Sequence, residues 1–115
     1  MITPRDRVRI EDMIAYARKG MGFLGTADAA DLEADEQKLF AILRAIEIVG
    51  EAAARVSKPM KAAHPHLPWA AAAQMRNLLI HAYPEVDVPI VVSTIREDFP
   101  PMIETLERLL KDAPP

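Results

Sequence analysis

Cysteine is absent from this chain of 115 residues. That excludes a disulfide framework and any thiolate metal site. Aromatic residues make up only 5% of the sequence, while half of it is hydrophobic and rich in alanine and leucine. A β-sandwich would want more valine, threonine, tyrosine and phenylalanine, so the composition favours close-packed helices. No apolar stretch is long enough to span a bilayer, and the N-terminus lacks a signal-peptide hydrophobic region. The expectation is one soluble, cytoplasmic domain covering residues 1–115, with no membrane contact. A further absence is local. From Ala52 to Pro84 there is no aspartate or glutamate.

What stands in that acid-free stretch is basic. Arg55, Lys58, Lys61 and Arg76 lie within it, as do all three histidines, His64, His66 and His81. The whole chain carries −3, so +4 here leaves −7 elsewhere. A mildly acidic total therefore conceals a polarised molecule, and a phosphate backbone responds to local charge. A buried, alanine-rich helix would also exclude acids, but Arg55, Lys58 and Lys61 precede that helix.

The helical pattern is legible along the chain. Thr3-Pro4-Arg5-Asp6 reads as a helix start, with Thr3 as N-cap, Pro4 in the first turn and Asp6 closing a capping box. This helix carries Val8, Ile10, Ile14 and Ala15 and is expected to end near Lys19-Gly20, followed by a turn through Gly22 and Gly25 to Asp28. The turn is no phosphate loop, because it lacks the Gly-Lys-Ser/Thr ending and a preceding strand. A second helix is expected from about Asp31 to Ser57, its apolar stripe formed by Leu39, Ile42, Leu43, Ile46 and Ala53. Gly50 falls on that stripe, where a neighbouring helix can come close. Pro59 breaks this helix, and His64-Pro65-His66-Leu67-Pro68 is a stiff lead-in to a third, Trp69 to about Ala82, stopped by Pro84. A last helical region starts near Asp87-Val88-Pro89, with a break and restart at Asp98 before Pro100-Pro101. Met102, Leu106, Leu109 and Leu110 complete its apolar pattern. The fold class is all-α, an antiparallel four- to five-helix bundle.

Within the third helix stands Arg76-Asn77-Leu78-Leu79-Ile80-His81-Ala82-Tyr83. Arginine offers a rigid fork of donors to a phosphate, and histidine moves a proton near neutral pH. Positions five apart on a helix differ by about 140°, so Arg76 and His81 would flank a groove. With an RNA phosphate there, His81 would act as general base on a 2′-hydroxyl or as the acid protonating the leaving oxygen. Arg76 would hold the phosphate and stabilise the charge that builds on it. Asn77 could add a hydrogen bond, and Tyr83 could orient substrate or stack on a base. Taken singly, each has a structural explanation: a helix-end histidine, a surface arginine, a rim tyrosine. His64 and His66 flank a proline, and a metal site there would need at least one more ligand. No metal and no cofactor are expected.

Several stretches in order resemble one family. Ala45-Ile46-Glu47-Ile48-Val49-Gly50-Glu51-Ala52-Ala53, His66-Leu67-Pro68-Trp69 followed by Met75-Arg76-Asn77 through Tyr83, then Glu85-Val86-Asp87 and Asp98-Phe99-Pro100 are similar to HepT, the toxin of the HepT–MntA toxin–antitoxin systems in the HEPN superfamily. The resemblance implies a helical bundle that forms a homodimer, its two motif helices facing a shared cleft. It implies a metal-independent ribonuclease with Arg76 and His81 as catalytic residues, acting on RNA such as tRNA or mRNA. It also implies a type VII-like arrangement in which a cognate MntA-like nucleotidyltransferase antitoxin adenylylates Tyr83, placing an AMP phosphate where RNA would bind. The competing expectation is a non-catalytic helical module that binds and positions a nucleotidyltransferase.

Overall fold

A computed structural model describes residues 2–82 and 86–112; the side chains of residues 76–82 lie outside the description. The elements are α1 (Pro4–Leu24), α2 (Ala29–Glu33), α3 (Glu36–Arg55), α4 (Lys58–Ala63), α5 (Trp69–Ala82), α6 (Val88–Ser93), a π-helical turn (Thr94–Asp98) and α7 (Phe99–Asp112). The described residues contain no strand. The last three elements follow one another without a gap, so four long helical bodies and two short helices make an all-α bundle.

Thr3 caps α1 as its sequence suggests, its hydroxyl accepting from the Asp6 N–H at 3.1 Å, with Pro4 in the first turn. The Asp6 carboxylate does not complete a capping box. It is buried, accepting from the Ser57 N–H at 2.9 Å and the Ser57 hydroxyl at 2.6 Å. Ser57 is in turn the N-cap of α4, its hydroxyl accepting from the Met60 N–H at 3.3 Å. The start of α1 is thereby fastened to the end of α3, which fixes the two helices antiparallel. Their upper parts agree, since a Cβ on Gly20 would lie 3.6 Å from that of Ala45.

Three boundaries differ from the sequence expectation. Helix α1 continues past Gly20 to Leu24 and stops at Gly25, whose φ of 54° suits a residue without a side chain. Gly20 is instead a buried helical position packed near Ala45, Phe99 and Ile95. The core face of α1 is accordingly Ile10, Met13, Ile14, Ala17, Gly20 and Leu24, whereas Val8 and Ala15 are exposed. The region expected as one helix from Asp31 is two, because each piece has its own N-cap. Asp28 and Asp31 exchange side-chain-to-backbone bonds at 2.9 Å, and Asp35 accepts from the Lys38 N–H at 3.0 Å to open α3. The bond from the Asp31 N–H is the main influence holding the Asp28 carboxyl below its ordinary range. The stripe expected on α3 is correct: Ile42, Leu43, Ile46 and Ala53 are buried, Leu39 half-buried, and Gly50 is buried among them.

The third correction is at Asp98. The chain does not break there but widens into a π turn, with the Phe99 N–H donating to Thr94 five residues back. Pro100 and Pro101 have no N–H to give, and a proline ring in an α-helix collides with the carbonyl four residues earlier. One wide turn relieves that collision and lets the helix run on. Phe99, fully buried, sits at this junction against Gly20, and Met102, Leu106 and Leu109 continue the core along α7. From the same turn, Arg96 reaches the carbonyls of Ala27 and Gly25, tying the α1–α2 connection to the last helix.

Candidate functional site

Helix α5 has the limits its sequence suggests, Trp69–Ala82. Its start is fixed by tertiary contacts. Trp69 is buried and donates its indole N–H to the His64 carbonyl at 2.9 Å, while Leu67 and Ala72 enter the core beside it. An indole needs both an apolar seat and a hydrogen-bond acceptor, and this turn supplies both. The turn is itself held to α4 by the His64 N–H, bonded to the carbonyls of Met60 and Lys61. Lys61 reaches back to the Ala54 carbonyl at 3.4 Å in the last turn of α3. The first turn of α5 therefore lies at the end of the bundle where α3 finishes, and α5 packs back along α3 in the opposite direction.

Arg76, Asn77 and His81 all stand on α5. By register, Arg76 is four and seven residues on from the buried Ala72 and Trp69. His81 is seven and eleven residues on from the exposed Gln74 and Ala70. By register alone, the two motif positions differ by about 140° around one helix. Tyr83 lies outside the described residues.

The structure separates what the sequence had grouped. Arg55, Lys58, Lys61, His64 and His66 cluster where α3 ends, α4 forms and α5 begins. From Trp69, Arg76 is about 10 Å further along the helix axis and His81 about 18 Å, at 1.5 Å rise per residue. The acid-free stretch is thus no single basic groove around the motif. One of its charges is also answered from outside, for Arg55 pairs with Glu51 at 2.9 Å. Among the described residues no group of three or more potential ligands is placed to hold a metal.

Two grooves border the start of α5. The larger, about 870 Å³, lies between the start of α1, helix α4 and the second half of α7 and includes Asp6, Ser57, His64, His66 and Arg108. The smaller, about 460 Å³, runs between α5 and α7 from His66 and Pro68 up to Met75, the residue before Arg76. His66 and Thr105 line both, so the grooves adjoin. Sequence reasoning missed this furrow, because part of its wall comes from α7, distant in sequence.

With this geometry in place, comparison with known proteins decides the family. A family model described as Ribonuclease HepT-like matches residues 13–109. The chain belongs to that family. It is 42% identical over 81 residues to a protein of Thermococcus cleftensis named "Probable ribonuclease HepT", covering 70% of this chain and 74% of that one. It is 29% identical over 101 residues to a Methanocaldococcus jannaschii protein named "Putative RNase", covering 88% and 87% of the two chains. A similarly named protein of Caldanaerobacter subterraneus subsp. tengcongensis is 34% identical over 71 residues, covering 62% and 63%. No solved structure matches the chain. The matched family span includes all of α5 and hence Arg76, Asn77 and His81.

Proposed function

We propose that this protein is a metal-independent endoribonuclease, the toxin of a toxin–antitoxin pair. The observation that carries the reading is the coincidence of two facts. The chain belongs to a family described as ribonuclease, and its one Arg-x4-His string lies on a helix whose start the fold fixes. The names of the similar proteins from Thermococcus and Methanocaldococcus support the same reaction class.

In this reading an RNA phosphate lies against α5. Arg76 holds its non-bridging oxygens and stabilises the charge that accumulates as the phosphorus becomes five-coordinate. The neighbouring 2′-oxygen attacks phosphorus, its proton leaves to a base, and the 5′-oxygen departs with a proton from an acid. His81 serves one of these two roles, and an imidazole titrating near neutrality suits either. Arginine supplies the positive charge and histidine the proton transfer, so the reaction needs no metal ion. Asn77 contributes a hydrogen bond to substrate and Tyr83 orients it. A homodimer brings two copies of α5 to one cleft. A cognate nucleotidyltransferase silences the toxin by adenylylating Tyr83, because the added AMP brings its own phosphate to the place of the RNA phosphate. Action in the cytoplasm fits an RNA substrate, and among the described residues no helix is long and apolar enough to cross a membrane.

The test is cleavage of a tRNA pool in EDTA by wild type and His81→Ala, after intact-mass measurement shows Tyr83 unmodified. Cutting by the wild type alone is expected. No cutting by an unmodified wild-type dimer would overturn the reading in favour of a helical module that positions a nucleotidyltransferase.

A further inference from the structure

We propose that the larger groove, between the start of α1, helix α4 and the second half of α7, is a binding site for a single nucleotide. Its phosphate lies at Arg108 and His66, and its base lies on the apolar floor. The inference rests on the ribonuclease reading for the class of ligand and on the groove for the place.

Three walls meet there. From α7 come Thr105, Arg108, Leu109 and Asp112, whose spacing of three, four and seven residues puts them on one face of that helix. Helix α4 lends Pro59, Met60 and Ala63, and His64 and His66 follow in the turn after it. Ile2 and Thr3 close the side at α1. The volume of about 870 Å³ is that of a small-molecule site. Met60 and Leu109 are buried, so the core itself supplies an apolar floor. The rings of His64 and His66 stand edge to face, with centroids 5.9 Å apart. An imidazole offers a flat face on which a base stacks and an N–H for a phosphate oxygen.

The charges along the groove limit what fits. His66 and Thr105 mark the end that adjoins the smaller groove beside α5. At 1.5 Å rise per residue, Arg108 lies about 4.5 Å further along α7 and Asp112 about 10 Å. Arg108 is the one lysine or arginine in the lining. Its side chain is 66% exposed and pairs with Glu104, itself 73% exposed, one turn back on the same helix. An ion pair so open to water is weak, so a phosphate can take over the guanidinium. Asp6 is the second acid of the lining, and both of its oxygens are engaged by Ser57. Asp112 stands beyond Arg108 at one end, and Glu97 and Asp98 border the adjoining groove at the other. A run of phosphates continuing in either direction would meet a carboxylate. The groove therefore suits one phosphate with one base, and not a strand laid along it. Such a unit comes either as a free mononucleotide or as the terminal nucleotide of an RNA.

The experiment titrates the full chain with the four nucleoside 5′-monophosphates by calorimetry, with nucleosides and inorganic phosphate as controls. A short 2′-O-methylated RNA, which lacks the attacking hydroxyl and is not cut, is titrated separately in linear and circular form. Two variants stand beside wild type, with melting temperatures to show that both fold. Arg108→Ala removes an exposed charge, and Ala63→Phe fills the groove from an exposed position at the end of α4. One monophosphate bound per chain, more tightly than nucleoside or phosphate and at least about tenfold more weakly by each variant, would establish a free-nucleotide site. No monophosphate binding, but linear RNA bound more tightly than circular and weakened about tenfold by each variant, would establish a site for an RNA end. Unchanged affinity for monophosphates and RNA in both variants, while wild type cuts unmodified RNA through His81, would sink this proposal alone. A wild type that binds no monophosphate and neither binds nor cuts RNA would sink the ribonuclease reading with it.

Discussion

Helices α1 and α5 belong to one bundle but are fixed by different contacts. Helix α1 is buried along its length: Asp6, Ile10, Met13, Ile14, Ala17, Gly20 and Leu24 all face inward. It is fastened at both ends, by the Asp6–Ser57 bonds below and the Arg96 reach to Gly25 and Ala27 above. Helix α5 is fastened at its start, where Trp69 and Ala72 are buried, and Ala70, Ala71 and Gln74 are already exposed. The lesson is a division of labour. One helix is used up in making the bundle, and the other, fixed at its start and packed along α3, carries the motif. Substitutions in the first region should change stability, and substitutions in the second should change chemistry.

The largest stability effect is expected at Phe99, fully buried where the π turn meets α7 and close to Gly20 of α1. Phe99→Ala should cost about 3–5 kcal/mol, a large part of the stability of a domain this size, read by urea unfolding. Asp6→Ala comes next. It would leave the Ser57 N–H and hydroxyl without their partner in a part-buried site and should cost about 1–3 kcal/mol in the same assay. A cost below that range would mean that the link between α1 and α4 contributes little. The smallest effect is expected at Gly20. A Cβ there would meet Ala45 and Phe99 at 3.6 Å and Ile95 at 3.7 Å, ordinary contact distances. Gly20→Ala should therefore leave packing intact and gain up to about 1 kcal/mol from helix propensity. A loss instead would show that α1 and α3 tolerate no added methyl group.

These residues also show how far the sequence could be read. Trp69–Ala82 was legible because Pro68 and Pro84 bracket it, and the stripe on α3 was legible because its period is local. Thr3 was legible as a cap, but the partner of Asp6 lies 51 residues away and no local rule points to it. Gly20 looked like a helix end because glycine usually marks one. It is a buried helical position that faces α3, the π turn and α7 with room for a methyl group, and Gly25 is the true stop. Pro100-Pro101 looked like a break because an α-helix cannot contain them unchanged, and a π turn is the alternative that spacing does not reveal. For the site, the order of Arg76, Asn77 and His81 along α5 was legible. The distance between them and the other basic residues was not, since it depends on the direction in which α5 returns along α3.

The central claim is that α5 carries the chemistry and the rest of the bundle holds it in place. Its most direct test is RNA cleavage in EDTA by His81→Ala, with thermal unfolding of the same preparation measured beside wild type. The account predicts a loss of cleavage of about 10²–10⁴-fold with a melting temperature within a few degrees of wild type. A variant that melts like wild type and still cuts RNA at the wild-type rate would contradict it.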